Sequence, residues 1–119
     1  MTIERQELGK KGETDAVKYL KRNGYRILEQ NYRTKLGEID IIAKDGKTIV
    51  FIEVKTRNSS HFGNPKWAIT PKKQRNMSMA ALFYLKATQQ SLEKARFDVV
   101  TIQPEKIEII KNAFDLAYG

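Results

Sequence analysis

The chain contains no cysteine. Disulfides, thiolate zinc sites and thiol nucleophiles are therefore excluded together. Histidine occurs once, at His61 in a polar loop, with no accompanying pattern of partners, so it is not expected to act as a general base. No apolar run approaches the roughly 20 residues of a membrane-spanning helix. Behind Met1-Thr2-Ile3-Glu4-Arg5 there is no apolar region following a basic start. No secretory signal and no membrane partner are expected, and the expected location is cytoplasmic. A further absence is local. Between Val54 and Leu92 there is no acidic residue, while Lys55, Arg57, Lys66, Lys72, Lys73, Arg75 and Lys86 all fall there.

What is present is a chain of 119 residues, 40% hydrophobic, with a formal net charge of +8. That length suits one domain, residues 1–119, around one core. A cationic excess gathered on one segment suits a phosphate-bearing partner. The acids gather before and after this segment, which suggests a positive surface beside a negative pocket.

Hydrophobic periodicity predicts a helix over residues 3–23, stopped by Gly24. A strand follows from Tyr25 to Tyr32. Glu38 to Ala43 and Thr48 to Lys55 are rich in Ile and Val and read as two more strands. Lys44-Asp45-Gly46-Lys47 separates them, and Asp-Gly is a favoured pair for a two-residue hairpin loop. Residues 57–69 are a polar loop. Thr70-Pro71 then opens a second helix, with Thr70 as N-cap and Pro71 at the first helical position. Met77, Ala80, Ala81, Tyr84 and Leu85 recur at helical spacing and form its packed face. Phe97 to Ile102 and Ile107 to Ile110 complete the order α-β-β-β-α-β-β. This is an α/β protein with a mixed β-sheet of about five strands flanked by helices.

The hairpin concentrates the chemistry. With Asp45-Gly46 as the loop, Asp40 opposes Phe51 and Glu38 opposes Glu53. Because side chains alternate along a strand, Glu38, Asp40, Glu53 and Lys55 then share one face, at the end away from the turn. Ile39, Ile41, Val50, Ile52 and Val54 fall on the other face. Opposed like charges destabilise a sheet. A divalent cation relieves the repulsion, since Mg²⁺ takes one or two carboxylates together with water and phosphate oxygens. With Lys55 nearby, either orienting water or balancing charge on the phosphoryl group, the set has the parts for phosphodiester hydrolysis.

Other elements add to it. At about 100° per residue Glu13 falls inside the apolar arc of Leu8, Ala16, Val17 and Leu20. A carboxylate there is either a further ligand or an edge residue reaching solvent. Gln74 shares the stripe of Met77 and either lines the pocket or contacts the scissile phosphate, or is a capping-turn polar residue near the helix start. Lys72, Lys73 and Arg75, with Arg57 and Lys66, are expected to contact phosphates. Phe62 and Trp67 could stack on unpaired bases or pack on the domain. Arg96 and Asp98 are expected to form a structural ion pair.

The spacing from Asp40 to Glu53-Val54-Lys55 resembles the PD-(D/E)xK nuclease motif. Gly9-Lys10-Lys11-Gly12-Glu13, Asn31-Tyr32-Arg33, Gly37-Glu38-Ile39-Asp40, Glu53-Val54-Lys55-Thr56-Arg57 and Arg96-Phe97-Asp98-Val99-Val100 look like the bacterial YraN family. Its members are described as predicted endonucleases similar to archaeal Holliday-junction resolvases. The resemblance covers nearly the whole chain, with Ile39 standing where the superfamily name places Pro. It implies a restriction-endonuclease-like core with Mg²⁺ or Mn²⁺ as cofactor. Asp40, Glu53 and Glu13 would be metal-ligating, Lys55 the catalytic lysine, and Glu38 a supporting member. The implied partner is DNA, branched, flapped or single-stranded, and the resolvase likeness extends to a homodimer. The alternative is a non-catalytic nucleic-acid-binding module or adaptor on the same fold.

Overall fold

The computed structural model describes residues 3–57 and 69–117, with side chains from residue 10 onward. His61, Phe62, Lys66 and Trp67 lie outside that range, as does the side chain of Leu8. The elements are α1 (Ile3–Arg22), β1 (Arg26–Thr34), β2 (Gly37–Asp45), β3 (Thr48–Thr56), α2 (Pro71–Ala87), β4 (Ala95–Gln103) and β5 (Lys106–Ile110). Gly24, at φ +87°, turns the chain out of α1. Thr70 caps α2, its side chain accepting the N–H of Lys73, with Pro71 in the first turn. This is the expected order and fold class.

The five strands lie in the order β1-β2-β3-β4-β5. Neighbours are antiparallel except β3 and β4, which run parallel. Parallel neighbours need a crossover, which α2 supplies. Met77, Ala80, Ala81, Tyr84 and Leu85 of α2 pack on Ile42, Ile49, Phe51 and Phe97. On the opposite face Ala16 and Leu20 of α1 pack on Ile41, Val50, Ile52 and Val100. β3 is thus apolar and buried on both sides, as an interior strand should be.

Two expectations about the hairpin are corrected. Asp45 pairs with Thr48 and Ile41 with Ile52, so the loop is Gly46-Lys47. The pairing is shifted by two residues. Only Gly46 has positive φ (+63°), the pattern of a turn with glycine at its first central position. Asp45 stays in the strand because its carboxylate is held by Arg96 at 2.9 Å and Lys111 at 3.5 Å. A shift of two preserves which face each side chain takes, but it changes every partner. Second, Ile39 packs with Ile42 on the α2 face, not with Ile41 on the α1 face. Strict alternation breaks across Asp40-Ile41, where Asp40 falls between the β1–β2 pairs Gln30–Ile41 and Tyr32–Ile39. On β1, Asn31 lies between the paired residues Gln30 and Tyr32 and has φ +53°.

The turn end of the sheet is closed by a buried polar cluster. Asp98, fully buried, accepts from Tyr25 Oη at 2.9 Å, Arg96 Nε at 2.8 Å and the N–H of Asn112 at 3.0 Å. Arg96 and Asp98 are the structural ion pair expected of them. Burial and the neighbouring Asp98 push the Tyr25 phenol well above its ordinary range.

Candidate metal centre at the open end of the sheet

The shift of register regroups the acidic residues. Glu38 does not face Glu53. It pairs with Arg33 of β1, and their side chains meet at 3.5 Å, with that of Glu38 51% exposed. Asp40 becomes the neighbour of Glu53 instead. The paired residues of β2 and β3 end at Ile41 and Ile52. One step beyond, Asp40 Oδ2 accepts the N–H of Val54 at 2.9 Å, and its carboxyl lies close to that of Glu53. The side chain of Asp40 thus takes over where the backbone ladder stops.

Glu53 is 5% exposed. Lys73 Nζ of α2 lies 3.5 Å from its Oε2, yet Oε2 is buried with no hydrogen bond. The lysine therefore supplies charge at a distance and angle that fall short of a well-formed bond. Burial, and then the Asp40 charge, push the Glu53 carboxyl up to about 7 against the pull of Lys73 and Lys55. Burial also raises Asp40, opposed by the Val54 N–H and Lys73. Lys55, two residues along β3, is half-buried.

Glu13 approaches from the other helix. Gly12 makes this possible, because a Cβ there would stand 2.3 Å from Thr56 Oγ1. α1 therefore comes close to the end of β3. Glu13 is half-buried. Its carboxyl is raised by burial and then by Asp40, while a hydrogen bond with Asn31 works the other way. Asn31 was not among the expected site residues. The signal was its residue type, since Asn tolerates the left-handed backbone better than most.

The expected cations divide. Lys73 reaches the carboxylates, a carboxylate contact where a phosphate contact was expected. Lys72 is exposed and Arg75 half-buried on the same first turns of α2. Gln74 donates its amide to the carbonyl of Ile69 at 3.0 Å, which closes the turn ahead of the helix. Arg57 lines a separate cleft of about 310 Å³ with Lys11, Asp15 and Gln103, and its N–H donates to Ile102 at 2.7 Å.

Among the described residues no three Asp, Glu or His side chains form a ready-made cation cluster. The pair Asp40 and Glu53 is what the fold brings together, with Glu13 beside it. Such a pair fits a Mg²⁺-type ion, which keeps several waters and uses one or two carboxylates. The buried Oε2 of Glu53, lacking a hydrogen-bond donor, fits the same chemistry. A cation would favour the ionised form that burial opposes.

Fold and site define an α/β domain with a carboxylate pair, buried Glu53 and half-buried Asp40, at one end of a mixed sheet, and Lys73 and Lys55 near Glu53. The chain belongs to the uncharacterised protein family UPF0102, whose model matches residues 12–102. This is the family indicated by the resemblance to YraN. A UPF0102 protein of Geobacter metallireducens is 54% identical over 122 residues, covering 99% of this chain and 100% of that one. One from Syntrophus aciditrophicus is 56% identical over 115 residues, covering 93% and 91%. Among solved structures, Archaeoglobus fulgidus Hjc, a Holliday junction resolvase, is similar at a TM-score of 0.49 and 17% identity, over 83% of this chain and 72% of that one. No helix among the described residues is long and apolar enough to cross a membrane.

Proposed function

We propose that this protein is a metal-dependent endonuclease that hydrolyses phosphodiester bonds in DNA. The observation that carries the reading is the pair of half-buried Asp40 and buried Glu53, with Lys73 at 3.5 Å from Glu53. Asp40 and Glu53 would hold Mg²⁺ or Mn²⁺, with Glu13 as the third carboxylate at hand. When bound, such an ion polarises the phosphoryl oxygen and lowers the pKa of water. The Val54 N–H fixes one oxygen of Asp40 and so orients the other. Lys55, projecting from the strand that carries Glu53, is the donor for the scissile phosphate or the attacking water. Lys73 holds Glu53 in place and weakens its preference for the protonated state.

Supporting DNA as substrate are the acid-free basic segment and the first turns of α2, which carry Lys72, Lys73 and Arg75 without an acid. Branched, flapped or single-stranded DNA is the proposed form. A four-way junction has two symmetric cut sites, so a homodimer is proposed for that substrate. In an assay of purified protein with flap, junction and single-stranded DNA plus Mn²⁺, Asp40→Asn should reduce cleavage by about 100-fold or more, as loss of a charge-stabilising group commonly does. Equal product from wild type and variant would sink the proposal.

One observation favours a second reading. Lys73, 3.5 Å from Glu53, offsets part of its charge, so an adaptor that binds DNA without turnover would need no cation. Calorimetry separates the two. Mn²⁺ binding that Asp40→Asn abolishes supports the nuclease, whereas salt-dependent DNA binding with no Mn²⁺ heat supports the adaptor.

A further inference from the structure

The turn from β1 to β2 is unusual in its residues and in how it is held. Thr34 pairs with Gly37, so Lys35 and Leu36 form a two-residue loop. Leu36 is 55% exposed. Turn positions ordinarily go to Gly, Asn, Asp or Ser, which supply positive φ or local hydrogen bonds. Leucine supplies neither. Here the side chain of Thr34 holds the bend. Thr34 Oγ1 accepts the N–H groups of Leu36 and Gly37, each at 3.1 Å, and donates to the Gly37 carbonyl at 3.0 Å. The leucine side chain therefore has no part in making the turn.

The tip is also anchored. A Cβ on Gly37 would lie 2.3 Å from the Asn76 carbonyl oxygen of α2, so the hairpin rests directly on that helix. Asn76 is three residues beyond Lys73, on the same side of α2. An open cleft of about 420 Å³ is lined by Arg33, Lys35, Leu36 and Gly37 on the hairpin and by Lys73 and Asn76 on the helix. Glu38 also lines it and is held by Arg33 at 3.5 Å. Three cations thus face one acid. Phe83 and Leu92 are exposed as well, but neither borders this cleft. An apolar side chain on a rigid tip shares a cleft with the lysine that touches Glu53.

We propose that Leu36 is a wedge that enters the base stack where DNA strands part, with Lys35 on the adjoining phosphate. The proposal rests on the DNA-binding part of the function given above and specifies the form of the substrate. Apolar side chains do enter base steps, at an unstacking cost of a few kcal/mol. That cost is smallest where bases are already unpaired. A wedge in the cleft that Lys73 also lines therefore favours a branch or flap over continuous duplex. Because the tip is held before binding, little ordering entropy is lost on contact.

The test uses a flap DNA with 2-aminopurine at the branch, in EDTA so that no hydrolysis intervenes. Wild type should raise the fluorescence several-fold at saturation and should leave 2-aminopurine in matched duplex unchanged. Leu36→Ser should abolish the rise and lower the preference for flap over duplex by about 10-fold, while Leu36→Phe retains both. The same rise from Leu36→Ser, no rise from wild type, or no binding of the flap by wild type would each overturn the wedge. Cleavage in Mn²⁺ is scored separately. A normal rise without cleavage leaves the wedge standing and removes the nuclease. Cleavage without a rise removes only the wedge.

Discussion

At the residue scale the informative group is Glu53. Its carboxyl is held up to about 7 by burial and by Asp40, against 4.5 for an unperturbed glutamate. The folded state therefore binds a proton that the unfolded state has released. The stability this contributes is complete below about pH 4.5 and is lost as pH rises towards 7. Asp40 and Glu13, both raised, act in the same direction. For the metal-free protein, Tm is expected to fall by about 5 °C or more across that window. Thermal melts of Glu53→Gln should show a flatter profile. A wild-type Tm that climbs from pH 4.5 to 7 would contradict the assignment. Added Mn²⁺ should flatten the wild-type curve as well, because a cation binds the ionised pair preferentially.

At the element scale, two glycines set how closely the helices approach the sheet. Gly37 meets backbone of α2 and Gly12 meets a threonine hydroxyl of β3. A backbone carbonyl cannot move without moving its helix, whereas a hydroxyl can rotate. Gly37→Ala is therefore expected to cost about 1–3 kcal/mol by overpacking, and Gly12→Ala less. Urea melts should rank them in that order. The opposite ranking would mean that α1 is the more tightly constrained element. The same scale shows what was legible in advance. α2 could be read from Thr70-Pro71 and a five-residue apolar stripe, because capping and periodicity are local. That Asp40 and Glu53 stand on neighbouring strands of one hairpin could be read too, because Ile- and Val-rich runs around Asp45-Gly46 mark both strands. The shift itself could not be read. It depends on Arg96 drawing Asp45 into the strand from 51 residues away. The break at Asp40-Ile41 depends on β1, and the contact of Lys73 with Glu53 depends on how α2 docks. None of these has a local sequence signal.

At the scale of the whole molecule, the two kinds of strand connection differ in the length of chain they close. β1, β2 and β3 form a meander of short turns. β3 and β4 join residues as far apart in sequence as Ile49 and Ala95. Local pairings are entropically cheap and distant ones are slow. The meander is thus the natural early structure, and it already contains both Asp40 and Glu53. Lys73 arrives only when α2 packs down. The two acids therefore come together with Lys55 nearby but without Lys73, and folding should be slowed by their repulsion near neutral pH. Stopped-flow refolding of the metal-free chain should run faster at pH 5 than at pH 8, and Glu53→Gln should remove most of the difference. On that outcome the acid pair that would serve catalysis is also an obstacle on the folding path, set there by which strands the chain can pair first.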